Sequence, residues 1–163
     1  MKIRSVFLTL LLCSLPLYSL QAALFKDFND KPASITQYAG KGKWLVVMIW
    51  ASDCHVCNKE AESYNAFHLK YKDKNARVLG LSTDGQKNKK AAQNFISRHQ
   101  LKFPNILGEP QDVAIHFSKL TGVDWTGTPT FLIYSPTGEL AVQQAGAVPT
   151  NIIEEFIQQQ SAQ

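Results

Sequence analysis

Cys54-His55-Val56-Cys57 places two thiols three residues apart. On a helix, that spacing puts them one turn apart on the same face. The nucleophile in disulfide chemistry is the thiolate, so the pair's reactivity depends on what lowers a thiol pKa. At a helix N-terminus a cysteine meets unpaired backbone N–H groups and the positive end of the dipole. There it can fall from about 8.5 into a range of roughly 3.5–7.5. Cys54, in the first turn, gains most, while Cys57 is deeper, more buried and less acidic. This asymmetry predicts a two-step exchange. Cys54 attacks a substrate disulfide to form a mixed disulfide, and Cys57 resolves it, leaving an internal Cys54–Cys57 bond. Run backwards, the same steps oxidise a substrate.

Other uses of two close cysteines fit the spacing less well. A structural zinc site needs four ligands, and there is no second CxxC or paired histidine set; His68, His99 and His116 are scattered. Covalent haem attachment needs a histidine directly after the second cysteine, and that residue is Asn58. A purely structural disulfide across so short a loop contributes little chain entropy. No cofactor and no metal are expected.

The elements that must position the pair can be read around it. Trp44 to Trp50, WLVVMIW, is a continuous apolar run that predicts a strand buried on both faces. A helix is expected from Cys54 to about Tyr71, with Cys57, Ala61, Tyr64, His68 and Tyr71 as its inner stripe. Strands follow at Arg77–Ser82, Phe103–Leu107, Thr130–Tyr134 and Glu139–Ala145. The Phe103–Leu107 run contains Pro104, so an edge or irregular strand is expected there. Helices are expected over Lys87–His99, with Ala91, Ala92, Phe95 and Ile96 inward, and over Asp112–Leu120. The last starts at Thr150, with Ile152, Ile153, Phe156 and Ile157 inward. Leu24–Lys43 reads as polar and turn-rich. Alternating strands and helices closed by a hairpin and a final helix indicate an α/β fold with a mixed central sheet flanked by helices.

The chain has 163 residues, 45% of them hydrophobic and 18% charged, with a formal charge of +4. This is globular composition for one domain. Lys2 and Arg4 precede an apolar stretch over residues 6–20, and Ala22 and Ala23 follow. That order predicts a secretory signal peptide over residues 1–23, or an uncleaved anchor; only an uncleaved segment implies a membrane contact. Pro16 breaks the stretch, which is short for a span of roughly 20 residues. Cys13 reads as a small apolar residue that leaves with this segment. Cleavage removes two bases and no acid, halving the charge of a domain over residues 24–163. At about 140 residues that domain buries enough surface to fold without disulfide staples, which leaves Cys54 and Cys57 free for chemistry. Asp73 interrupts the cluster of Lys70, Lys72, Lys74 and Arg77, and neither it nor Lys87, Lys89 and Lys90 resembles a nucleic-acid site, so no nucleic-acid partner is expected.

The string Trp50-Ala51-Ser52-Asp53-Cys54-His55-Val56-Cys57 resembles the W-A-x-W-C-x-x-C site of thioredoxin-fold proteins, and Gly127-Thr128-Pro129-Thr130-Phe131 resembles their G-x-P-T loop. The segment from Val78 to Pro110 is similar to the extra strand–helix segment of the TlpA/ResA-like branch. Phe131 to Gly138 resembles that branch's "TFLID-x-x-G" ending. The resemblance implies a thioredoxin-like fold and an exported thiol–disulfide oxidoreductase, periplasmic or anchored by its N-terminal segment. Its substrates would be protein thiols and disulfides, and an upstream membrane or soluble partner would re-reduce it. Cys54 is then the attacking cysteine and Cys57 the resolving one. Pro129 is the cis-proline facing them, with the Thr128 backbone exposed to pair with substrate. Trp50 and Trp125 are the candidate walls of the substrate groove.

Three residues are candidates for tuning the thiols. A protonated His55 would favour the Cys54 thiolate, whereas an ionised Asp53, standing where the pattern has tryptophan, would oppose it. Asp84 is the nearest candidate for the acid that related reductants carry in the middle segment; as a turn residue before Gly85 it would have only a structural role. The expected function is therefore a reductase of cysteine pairs. The alternatives are a disulfide oxidase or isomerase, a thiol peroxidase and a copper-binding chaperone. A peroxidase site resembles P-x-x-x-T-x-x-C, but the matching positions here are Val47 and Ala51. The copper-chaperone class resembles C-x-x-x-C, one residue longer than the spacing found here.

Overall fold

The run from Trp44 to Trp50 forms strand β3, and all seven of its residues are buried. The reason is visible in its two faces. Trp44, Val46, Met48 and Trp50 point into one hydrophobic cluster, while Leu45, Val47 and Ile49 point into another. A strand with a core on both sides shows no polar alternation. The protein is described here by a computed structural model, which covers residues 24–161. The leader expected over residues 1–23, including Cys13, lies outside the described residues.

In chain order the remaining elements are β1 (Phe25–Asp27), β2 (Pro32–Ala33), helix α1 (His55–Tyr71), β4 (Ala76–Ser82), α2 (Lys89–Arg98), β5 (Asn105–Leu107), α3 (Pro110–Thr121), β6 (Thr130–Tyr134), β7 (Leu140–Ala145) and α4 (Thr150–Ser161). The strands form one mixed sheet ordered β2-β1-β5-β4-β3-β6-β7. The strands β3, β4 and β5 run parallel, and β6 and β1 join them antiparallel. The first cluster joins one sheet face to Cys57, Ala61, Tyr64 and Phe67 of α1, Phe95 of α2 and Ile153 and Ile157 of α4. The second joins the other face to Val113 and Phe117 of α3.

Several expectations are corrected. Leu24–Lys43 is not only turns, because it contributes β1 and β2 at the far edge of the sheet. Strand β5 starts after Pro104 and lies between β1 and β4, so it is interior rather than an edge. Pro104 is accommodated because it stands just before the first residue of β5, where its carbonyl still accepts from the Gly80 N–H (2.9 Å). Ala91 is exposed and Ile152 is half exposed, each on the outer side of its helix. Helix α3 starts two residues earlier than expected, with Pro110 in its first turn.

The sheet register places the site. Trp50 is level with Ser82 in the parallel β3–β4 pair, and Ile49 faces Thr130 in the antiparallel β3–β6 pair. The chain leaving β3, the chain leaving β4 and the chain entering β6 therefore meet at one end of the sheet.

At the other end, His68 of α1 is buried and its Nδ1 accepts from the Val78 N–H at 3.1 Å. Desolvation holds its imidazole below the usual histidine value. Lys72 and Arg77 add to this and Asp73 opposes it. Protonation would replace the acceptor with a donor facing a donor. With the folded pKa below the unfolded one, the stabilisation is complete above about 6.5. It is lost as pH falls through the folded value, by at most about 1.4 kcal/mol per pH unit for one proton. The urea midpoint is expected to fall between pH 7.5 and 5.5. His68→Gln, which can accept the same N–H without titrating, should show a shallower fall. His99 and His116 are depressed in the same sense and account for the residual slope. Equal slopes in both proteins would remove His68 from the account.

Candidate active site

Cys54 is the N-cap of α1, with extended backbone (φ −71°, ψ 111°). Its Sγ accepts from the Cys57 N–H at 3.1 Å. A serine or aspartate oxygen usually fills this role, satisfying one of the orphan donors of the first turn. The sulfur thus occupies the place where a helix best receives negative charge. Cys54 is half-buried and Cys57 fully buried, and the two are joined as a disulfide with Cα atoms 5.2 Å apart. On reduction, Cys54 can reach a substrate sulfur while Cys57 stays behind it.

Asp84 follows the end of β4, level with the residues that precede Cys54. Its carboxylate accepts from the Ser52 N–H (3.1 and 3.2 Å), the Ser52 hydroxyl (2.6 Å) and the Ser82 hydroxyl (2.6 Å). It is therefore tied to the turn that carries Cys54 rather than being only a surface turn residue. Asp53 and His55, on either side of Cys54, are both exposed.

The Thr128–Pro129 peptide is cis. Thr128 is half-buried, and Pro129 is buried one residue before β6, beside the end of β3. The Pro129 carbonyl accepts from Gly146, which joins the loop after β7 to the same end of the sheet. Trp50 does not line the expected groove. Trp50 is fully buried, stacks on Phe95 with centroids 4.2 Å apart, and donates from Nε1 to Asn105 Oδ1 at 3.1 Å. It is core, because side chains of β3 alternate between the two buried faces and position 50 points inward. Trp125 is half-buried against the α3-side cluster and donates from Nε1 to the Thr130 hydroxyl (3.2 Å), which in turn donates to the Gly127 carbonyl. Its indole is thereby tied to the cis-proline loop.

Sequence reasoning missed Glu60, one turn after Cys57. Oε1 accepts from the Val148 N–H at 3.0 Å, and Oε2 is buried without a hydrogen-bond partner among the described residues. Desolvation raises its pKa above the ordinary glutamate range, against the opposing effect of the Val148 bond. Tyr64, one turn further on, donates its hydroxyl to the Val148 carbonyl at 2.6 Å, and burial pushes its pKa up. The available signal was a glutamate three residues after Cys57 and four before Tyr64, bordering the apolar stripe of α1. Among the described residues no cluster of three or more histidine, cysteine or acidic side chains could hold a metal.

The AhpC/TSA family model matches residues 15–143. The thiol-disulfide oxidoreductase ResA of Bacillus thuringiensis subsp. konkukian (strain 97-27) is 26% identical over 131 residues, which covers 80% of this chain and 70% of that protein. The crystal structure of a DsbF homologue from Corynebacterium diphtheriae superposes with a TM-score of 0.69 at 23% identity, covering 82% of this chain and 81% of that one. The thioredoxin domain of a thiol-disulfide oxidoreductase from Bacteroides vulgatus gives 0.65 at 22% identity, covering 81% and 90%. These structural likenesses show that the fold is thioredoxin-like.

Proposed function

The chain belongs to the AhpC/TSA family and is a protein thiol–disulfide oxidoreductase; from that premise we propose that it works as a reductase on cysteine pairs of exported proteins. The observation that carries the reading is the Cys54–Cys57 pair at the start of α1, with one sulfur accessible on the helix N-terminus and the other fully buried.

In the reductive direction the Cys54 thiolate attacks one sulfur of a substrate disulfide. A Cys54–substrate disulfide forms and the other substrate sulfur leaves as a thiolate. Cys57 then gives up its proton and its sulfur attacks Cys54 Sγ. The Cys54–Cys57 bond closes and the second substrate sulfur departs as a thiolate, so two electrons have passed to the substrate. An upstream dithiol supplies the next pair of electrons. The backbone around Thr128 and Pro129 would hold the substrate chain, and His55 and Asp53 would face it from the rim. Glu60, one turn after Cys57 on α1, would take the Cys57 proton, since burial makes its carboxyl bind a proton more readily than an exposed glutamate does. A buried carboxyl also resists a second negative charge beside it. That disfavours the thiolate form and supports the reductive direction.

Export is proposed from the charged and apolar order of residues 1–23; among the described residues no helix is long and apolar enough to cross a membrane. The peroxidase alternative lacks its threonine and proline, since Ala51 and Val47 stand there and Val47 is buried inside β3. Equilibration with glutathione buffers tests the direction. The potential of the couple is expected nearer −270 than −120 mV on the scale such folds span. A value close to −120 mV would assign the protein as an oxidase.

A further inference from the structure

Asn58 directly follows Cys57, and its side-chain amide is engaged on both edges. Nδ2 donates to the carbonyl of Ser52 (3.2 Å) and to that of Cys54 (2.9 Å). Oδ1 accepts from the Arg98 guanidinium (2.5 Å) and lies 3.0 Å from His99 Nε2. The partners fix the orientation of the amide, because a guanidinium can only donate and a carbonyl can only accept. Oδ1 must therefore face the end of α2, and Nδ2 must face the turn before α1. By the same reasoning His99 Nε2 carries a hydrogen.

Asp84 also grips that turn, through the N–H and hydroxyl of Ser52. Within the turn, the Cys54 N–H donates to the Ala51 carbonyl at 3.2 Å, and the Cys54 carbonyl also accepts the Asn58 N–H at 3.1 Å. Ser52 is thus held by both Asp84 and Asn58, the Cys54 carbonyl by Asn58, and Cys54 Sγ rests on the Cys57 N–H.

We propose that Asn58 is a positioning residue of the redox centre: it holds the Ser52–Cys54 turn in the shape that seats Cys54 Sγ on the Cys57 N–H, and through Arg98 and His99 it makes α2 part of what sets the Cys54/Cys57 couple. The inference rests on the thiol–disulfide reading above. Its physical basis is that the N–H bond and the dipole act only within the first turn of the helix. A cap residue free to move loses both. The neutral disulfide has little to lose from that freedom, whereas the reduced form with its thiolate has much. Releasing the turn therefore destabilises the reduced form selectively and makes the couple more reducing. A pin of purely structural value would act equally on both redox forms and leave the couple where it was.

The test compares wild type, Asn58→Ala and Asn58→Ser. Alanine is the best helix former, so α1 should persist in the first variant. Equilibrated with glutathione, Asn58→Ala is expected to shift the equilibrium toward oxidised protein by about 3- to 10-fold, which corresponds to roughly 15–30 mV for a two-electron couple. The Cys54 pKa, followed by thiolate absorbance, should rise by about half a unit to one unit. Asn58→Ser can bond back to the Cys54 carbonyl four residues earlier but cannot reach Arg98, and should shift less. Wild-type equilibrium constants in both variants would overturn the proposal, and so would a stability loss of equal size in oxidised and chemically reduced protein. If wild type does not exchange with glutathione at all, the functional reading fails instead. The difference in unfolding stability between the oxidised and chemically reduced forms, which needs no exchange partner, then still decides the role of Asn58.

Discussion

Serine at position 54 is expected to reduce disulfide exchange by at least about 1000-fold, because a hydroxyl supplies almost no anionic nucleophile near neutral pH. Serine at position 57 should behave differently. The first attack uses only Cys54, so it should proceed at close to the wild-type rate, and a covalent protein–substrate adduct should then accumulate. The two outcomes follow from the unequal places of the sulfurs, Cys54 half-buried on the helix N-terminus and Cys57 fully buried one turn deeper. Non-reducing electrophoresis of both variants after exposure to a disulfide substrate reads the result. Adducts formed by Cys54→Ser and absent from Cys57→Ser would exchange the two roles.

Trp50→Ala is expected to cost about 3–5 kcal/mol of folding stability, the range for truncating a buried large aromatic side chain. That is a large share of the roughly 5–15 kcal/mol that holds a domain together. Three contributions are removed together: complete burial, the stack on Phe95, and the hydrogen bond to Asn105. Trp50→Phe should keep an aromatic ring against Phe95 but lose the hydrogen bond to Asn105 and the volume of the larger ring, at about 1–3 kcal/mol. Urea unfolding measures both losses. The exchange rate of the folded fraction should hardly change in Trp50→Phe. A rate loss without a stability loss would return Trp50 to the substrate groove.

The legible part of the sequence was the part whose partners do not need to be known. WLVVMIW reads as a doubly covered strand whatever covers it, and the stripe from Cys57 to His68 reads as an inner helix face. The α/β alternation and the positions of the long elements followed from such patterns. Strands β1 and β2 were illegible because three and two residues are too few to show a period. They are strands because β5 and the rest of the sheet offer them a ladder. The site divided along the same line. The two cysteines announced themselves by spacing and by standing between a strand and a helix. The supporting contacts span 32 residues from Ser52 to Asp84, 88 from Glu60 to Val148 and 40 from Asn58 to Arg98. No local pattern encodes such contacts. They depend on the sheet register, which is a property of the assembled fold. Trp50 was misread for a related reason: a motif states that a tryptophan is present, and only the pleat states which way it points.

The order of elements along the chain has a consequence in time. The two cysteines are made early, at the start of the first long helix, but the groups that enclose them come from β6, the loop around Val148 and α4. A chain that emerges N-terminus first therefore presents both thiols before the part of the Cys57 cluster that β6 and α4 supply, Phe131 and Ile153 among it, exists. During that interval the pair is an unshielded dithiol, open to any oxidant or to a cysteine of a neighbouring chain. Closure of the internal bond would protect it: a newly made chain that pairs Cys54 with Cys57 at once has no thiol left to offer until the rest of the sheet is in place.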